Sequence, residues 1–242
     1  AILHVGGRGS VSTSTSGQGG LFAFVGTGMQ HELNLYGGTF YYTSRKSTLE
    51  SAVIYTKDPE SVINIWSDDV IIGSDVKAAD AQFLNYNVRC GGTLNMYAGT
   101  IRNGKAGTSD SHEESANLHL VPGSHFNMYG GTIKGGETAV KGGNIVLAGN
   151  ATFNMPSGKL LSGTAGGLGN NVYISGNGVK FNLGADVECD GGIAFYGDIT
   201  YPITGKVDWP AENPVVLRNG AKLDLTAMDP TSKLTVDAEG VF

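Results

Sequence analysis

Charge is scarce in this chain. Asp, Glu, Lys and Arg together make up 16% of its 242 residues, below the roughly 25% usual in soluble domains. The net charge is −6, and no run of Lys or Arg is present to neutralise phosphates, which argues against nucleic acid as a partner. No apolar run approaches the ~20 residues of a membrane-spanning helix, so membrane insertion is not expected. Two cysteines, Cys90 and Cys189, are too few for a disulfide-stapled scaffold. There is no Gly-x-Ser-x-Gly elbow, no His-Glu-x-x-His helix and no phosphate-loop lysine. The five histidines, His4, His31, His112, His119 and His125, lack metal-ligand spacing. The chain opens AILHVGG with no initiator Met and no signal peptide, so either a leader has been removed or the segment is excised; with no obvious cap at either end of a repeat array, it is expected to be a fragment of a longer protein with flanking domains.

What the chain does contain is glycine, 38 residues of it, and a hydrophobic fraction of 40%. That combination suits a folded domain with many tight turns rather than a disordered one. The glycines belong to a repeated phrase: LNLYGGTF at 33–40, LNMYAGTI at 94–101, FNMYGGTI at 126–133 and FNMPSGKL at 153–160. Its centre is an Asn between two apolar residues. That slot holds Asn34, Asn64, Asn95, Asn127, Asn154 and Asn182, with separations of 30, 31, 32, 27 and 28, and Asp224 falls in it 42 residues further on. The last interval fits two shorter turns, with YPIT at 201–204 as a degenerate copy.

A period of this length signals a stacked repeat architecture. The apolar residues alternate with period two, which excludes helical repeats. A second set of short runs, NLHL (117–120), NIVLAGN (144–150), NVYISGN (171–177), IAFYGD (193–198) and PVVLRNG (214–220), completes each period. Each period is therefore one coil of an all-β, single-stranded parallel β-helix, right-handed by the general preference of parallel crossovers. Roughly eight coils of about 20–32 residues are expected, stacked about 4.8 Å apart. One domain spans 1–242: an N-terminal coil with a Gly/Ser-rich loop (1–30, low-complexity at 6–20), regular coils (31–190) and shorter C-terminal coils (191–242). Residues 75–85 are ambiguous between a short helix and irregular coil. The register puts Cys90 and Cys189 about three coils, or roughly 14 Å, apart, so both are expected as free thiols.

The phrase F-N-M-Y-G-G-T-I-x-G resembles repeats in the right-handed β-helix regions of large secreted or wall-anchored proteins of Gram-positive, often gut-dwelling, bacteria. The resemblance covers about residues 30–190. It implies an extracellular, secreted or wall-anchored location. It does not choose an activity, because the scaffold carries adhesins, glycoside hydrolases and polysaccharide lyases alike.

Candidate site residues follow from the alternation. Phe126 and Met128 point inward, so Asn127 points outward, and the same holds in each coil. Stacked amides can bond up a ladder without any ligand. Directly after the second inward residue stand Tyr36, Trp66, Tyr97 and Tyr129, beside Asn34, Asn64, Asn95 and Asn127. Such a row either stacks on itself over a corner or offers rings and amides to a sugar. A regular ice-binding row is excluded by its irregular neighbours, Glu32, Thr93, His125, Thr152, Lys180 and Lys222.

A catalytic reading needs facing carboxylates. Its candidates are Asp68 and Asp69, and the alternating set Asp186, Glu188 and Asp190, which is also the place for a Ca²⁺ ion; otherwise these acids are turn formers, and no cofactor is required. Two insertions, 41–60 and 102–116, stand out, the second with Asp110, His112, Glu113 and Glu114. Pectin-degrading hydrolases on this scaffold carry Asn-Thr-Asp, Asp-Asp and Gly-His-Gly segments, of which only Asp68-Asp69 is present. Pectate lyases use an Arg or Lys beside Ca²⁺, whereas Arg8, Arg45, Arg89, Arg102 and Arg218 are scattered. The expectation is a non-catalytic surface module for glycan binding or adhesion, with a carbohydrate-active enzyme and a rigid spacer as alternatives.

Overall fold

The computed structural model describes residues 1–7, 9–13, 20–26, 28, 30–42, 51–74, 85–106 and 115–238. Among these residues there is no helix, and every paired strand is parallel to its neighbour. The chain forms a β-solenoid of about seven turns, as the alternation predicts. The expected eight coils correspond to seven strands on each of two faces and nine on the third.

The first face carries Ile2–Val5, Glu32–Leu35, Val62–Ile65, Thr93–Met96, His125–Met128 and the first halves of Thr152–Leu161 and Lys180–Cys189. Its register aligns Asn34, Asn64, Asn95, Asn127, Asn154 and Asn182, with His4 below them. The second face carries Ser10–Thr13, Gly38–Tyr42, Val70–Ile72, Thr100–Arg102, Thr132–Lys134 and the second halves of the two long strands. The third face runs from Phe22–Phe24 through Ser51–Thr56, Asn85–Cys90, Leu118–Leu120, Ile145–Leu147, Val172–Ile174, Ile193–Tyr196 and Val215–Arg218 to Val236–Ala238.

Two sequence expectations need correction. Within 6–20, taken as a loop, Ser10–Thr13 pairs with Gly38–Tyr42 as a second-face strand. Within the 41–60 insertion, Ser51–Thr56 is a third-face strand between Phe22–Phe24 and Asn85–Cys90. Both segments carry β-branched residues whose pairing partners lie a full coil away, which a local composition reading does not register. Residues 75–84 and the acidic group Asp110, His112, Glu113 and Glu114 lie outside the described residues.

The turn between the first two faces explains the glycines. The second Gly of the phrase, Gly38, Gly99, Gly131 and Gly158, has φ of +113°, +88°, +82° and +114°, a region that costs any L side chain strain. The first position of the pair tolerates Ala98 and Ser157.

The core is one continuous column of inward residues from all three faces. Phe126, Phe153, Phe181 and Phe195 run down it with successive ring centroids 5.4, 4.9 and 5.4 Å apart. Cys90 sits in the third-face inward row and Cys189 in the second-face one, and both are free thiols.

Candidate functional site

Where the first-face strands end, the chain is still held in rung register. The amides of Tyr36, Trp66, Tyr97 and Tyr129 donate to the carbonyls of Val5, Leu35, Ile65 and Met96 in the preceding coil, at 2.8, 2.9, 2.9 and 2.8 Å. One aromatic residue per rung therefore leaves the solenoid at the same corner, and the rings stack. Centroid separations are 6.4 Å for Tyr36–Trp66, 4.2 Å for Trp66–Tyr97 and 5.0 Å for Tyr97–Tyr129, with planes within 14°. His4 extends the row, 6.0 Å from Tyr36. The rings remain 47, 40, 38 and 46% exposed. Pro156 and then Gly184 follow in the same slot.

The geometry decides which part of each ring meets solvent. Near-parallel rings 4.2–6.4 Å apart cover much of one another's faces, so the exposed part of the row is largely ring edge. At the Tyr129 end the next residue in the slot is the exposed Pro156, and at the other end the row closes on the exposed His4.

The amides beside the rings form a ladder. Asn64 donates to Asn34 at 3.0 Å, Asn95 to Asn64 at 2.9 Å and Asn127 to Asn95 at 3.0 Å. At its base Asn34 donates to Glu32 at 2.8 Å, and the Trp66 indole N–H donates to the Asn34 Oδ1 at 2.9 Å. Asn34 and Asn64 are 3 and 6% exposed, so these two amides serve the ladder. Asn95 and Asn127 are half-buried, and among the described residues Asn154 does not extend the ladder. Asn127 Oδ1 thus ends it, next to Tyr129.

The carboxylates do not assemble into a facing pair. Asp68 accepts from the Gly99 amide at 3.2 Å, and the Asp69 carbonyl accepts from the Gly38 amide at 3.0 Å; both side chains are exposed turn residues. They precede the second-face strand four rungs below Cys189, about 19 Å at the rung spacing. In the other group Asp186 is exposed, Glu188 pairs with Lys159 at 2.5 Å, and Asp190 accepts from the Ser162 amide at 2.7 Å and from the Asn171 side chain. Val187 and Cys189 turn inward between them, as the alternation requires. Among the described residues no group of three or more His, Cys, Asp or Glu is placed to hold a metal ion.

The contact from Asn171 to Asp190 exposes a feature the sequence reading passes over. A second, fully buried amide ladder lines the corner before the third face. Asn87 donates to Asn117 at 2.8 Å, Asn117 to Asn144 at 2.7 Å and Asn144 to Asn171 at 2.6 Å. Each of these three spends its other N–H on a second-face carbonyl, Arg102, Lys134 or Leu161, at 2.8–2.9 Å. The Oδ1 atoms of Asn117, Asn144 and Asn171 in turn accept the amides of Gly104, Gly136 and Gly163 at 2.9, 2.9 and 3.0 Å. All four residues are 0% exposed. The signal is present in the sequence, since Asn opens NVRC, NLHL, NIVL and NVYI at separations of 30, 27 and 27. Asp190 is the terminal acceptor of this ladder, a structural task.

Comparison with protein-family models, curated proteins and solved structures finds no match.

Proposed function

We propose that the chain is a non-catalytic surface module of an extracellular bacterial protein, whose aromatic corner binds glycan and mediates adhesion. One observation carries this reading: four aromatic side chains in line on successive rungs stay 38–47% exposed, and among the described residues every other Phe, Tyr or Trp is buried or half-buried. Exposing a row of rings gives up burial free energy of the order of 1.5–3 kcal/mol for a fully covered large side chain. A chain can recover part of that by stacking, and a ligand recovers the rest.

The ladder geometry supports one mode of binding. A pyranose C–H face packs on the open side of Tyr129 beside Pro156, with the adjacent Asn127 Oδ1 accepting a sugar hydroxyl. Further sugars run along the axis, meeting Tyr97 one rung from Tyr129, about 4.8 Å away, and Tyr36 two rungs beyond it, past Trp66. A linear polysaccharide has a comparable repeat. The carboxylates named above serve turns, an ion pair and a ladder end, which favours binding over hydrolysis.

The test is a glycan array that includes host mucin and plant cell-wall structures, probed with the domain and with a Tyr97→Ala, Tyr129→Ala double variant. A defined glycan class bound by the parent and lost in the variant, with circular dichroism unchanged, is the expected result. A blank array, or binding that survives the double substitution, removes the aromatic corner as a glycan site and leaves the row as corner stacking on a rigid spacer.

A further inference from the structure

The corner from the third face back to the first is made by Asn and Gly. Asn150, the pair Asn177-Gly178 and the pair Asn219-Gly220 follow the third-face strands Ile145–Leu147, Val172–Ile174 and Val215–Arg218. The turns explain the choice. Asn150 and Asn219 have φ of +60° and +53°, and Gly178 and Gly220 have +73° and +83°, values that Asn and Gly tolerate better than other residues. A third Asn-Gly pair, Asn103-Gly104, follows the second-face strand Thr100–Arg102, with Asn103 at φ +53°.

An Asn followed by Gly carries its own reaction, and Asn is thermolabile for this reason. The Gly main-chain nitrogen attacks the Asn Cγ, and Gly has no side chain to obstruct the approach. A bond forms between that nitrogen and Cγ, and the Cγ–Nδ2 bond breaks. Nδ2 leaves as ammonia with the proton of the Gly amide, and a succinimide ring remains. Water then opens the ring at one carbonyl or the other, leaving aspartate or isoaspartate. Besides water, the step needs a Gly N–H that is not committed to an acceptor and an Asn side chain free to turn.

The three pairs differ in those two conditions. The Gly104 N–H donates to the buried Asn117 Oδ1 at 2.9 Å, and the Asn103 side chain donates to the Ser74 carbonyl at 2.9 Å. Both ends of that ring closure are held. Asn177, Gly178, Asn219 and Gly220 are exposed, and among the described residues neither their Gly amides nor their Asn side chains have a hydrogen-bond partner. Asn150 is exposed as well, but the amide that follows it, of Ala151, donates to the Ala148 carbonyl at 3.1 Å.

We infer that Asn177 and Asn219 are sites of spontaneous modification, each closing to a succinimide and opening to isoaspartate and aspartate, while Asn103 stays an amide. At Asn177 the consequence is structural. Its carbonyl accepts the Asn150 N–H at 2.9 Å, one coil back. Isoaspartate routes the main chain through the side-chain carbons, lengthens it by one atom and leaves a carboxylate where that carbonyl stood. Each conversion also adds a negative charge to a chain that already carries −6. The last coils therefore acquire an irreversible mark of the time since folding. Neither residue belongs to the aromatic corner, so this inference and the glycan reading stand or fall separately.

The test incubates the whole folded chain in mildly alkaline buffer and follows the three pairs by peptide mapping that separates Asn, aspartate and isoaspartate. The chain unfolded in guanidinium supplies the intrinsic rate at each pair. We expect Asn177 and Asn219 to convert in the folded chain with isoaspartate among the products, which a protein isoaspartyl methyltransferase then methylates. Asn103 is expected to convert at least about tenfold more slowly folded than unfolded, a protection that requires only about 1.4 kcal/mol of local opening. No substitution is needed, so no folding defect intervenes. Equal folded-state rates at the three pairs, no conversion at Asn177 or at Asn219, or aspartate without isoaspartate, the mark of direct hydrolysis, overturns the inference.

Discussion

Replacing Asn144 by Ala tests the buried amide ladder at its centre. Asn144 is 0% exposed and serves four partners: it donates to Leu161 O and Asn171 Oδ1, and accepts from Asn117 Nδ2 and the Gly136 amide. The substitution leaves the Gly136 amide and one Asn117 N–H without a partner, whereas Asn171 Oδ1 keeps the Gly163 amide and Leu161 O keeps the Gly135 amide. A buried polar group left without its partner costs about 1–3 kcal/mol. The vacated amide volume can admit a water that satisfies one of them, so the low end applies, and the expected loss is about 2 kcal/mol or more. Asn127→Ala is the control. It removes one bond, to Asn95, at a half-buried site, and its expected cost is about 0.5–1.5 kcal/mol. Guanidinium unfolding followed by circular dichroism gives the two values. Because solenoid stability is a sum of neighbouring-coil terms, hydrogen exchange should also show the Gly136 amide losing protection in Asn144→Ala. Equal costs for the two variants, or a Gly136 amide still protected in Asn144→Ala, would refute the idea that the inner ladder holds the corner while the outer one contributes little.

Gly131 has φ +82°, and a Cβ there would lie 2.7 Å from both the Gly99 carbonyl and the Met96 methyl; Gly131→Ala is expected to cost about 2 kcal/mol or more, measured by the same denaturation, and a neutral result would remove the conformational reading of the phrase. His119 packs edge-on to Tyr86 at 4.9 Å with its Nδ1 buried, and burial, helped by the Arg89 charge, pushes its pKa from 6.5 down to about 3. The folded chain then binds fewer protons than the unfolded chain between those values. Stability from this group is complete above pH 6.5 and falls as pH drops toward 3, with a slope of at most about 1.4 kcal/mol per pH unit that the ring's partial exposure reduces; His119→Gln should flatten the fall between pH 6.5 and 4, and an unaltered slope would assign it to the carboxylates. Burial pushes both thiols up to about 12, so Ellman's reagent should titrate two thiols only after unfolding without reductant, with Cys90 unreactive in the native chain; fewer than two would contradict the coil register.

The spacing of the outer Asn slot was legible because the signal is local. An Asn between two inward residues recurs once per coil, and the pairing Asn34–Asn64–Asn95–Asn127–Asn154–Asn182 follows from that spacing alone. Ser10–Thr13 and Ser51–Thr56 were not legible, because each strand is defined by a partner a coil away. The inner ladder is hidden for a different reason: one Asn at the head of NLHL looks like a turn former, and only its position between Asn144 and Asn87 makes it a ladder member.

By itself, then, the sequence determined that the chain is all-β, that its strands are short and parallel, and which residue of each strand faces in, since side-chain alternation is a property of a single strand. The tertiary structure decided the rest. It turned the aromatic row edge-on by stacking the rings of successive coils, assigned Asp190 to the end of a buried ladder rather than to a facing pair, and ended the continuous pairing of the first two faces at Lys180–Cys189, with Thr200–Pro202 pairing only onward. Each of these outcomes depends on what lies one rung above or below, at about 4.8 Å, and that neighbour is 21 to 34 residues away along the chain.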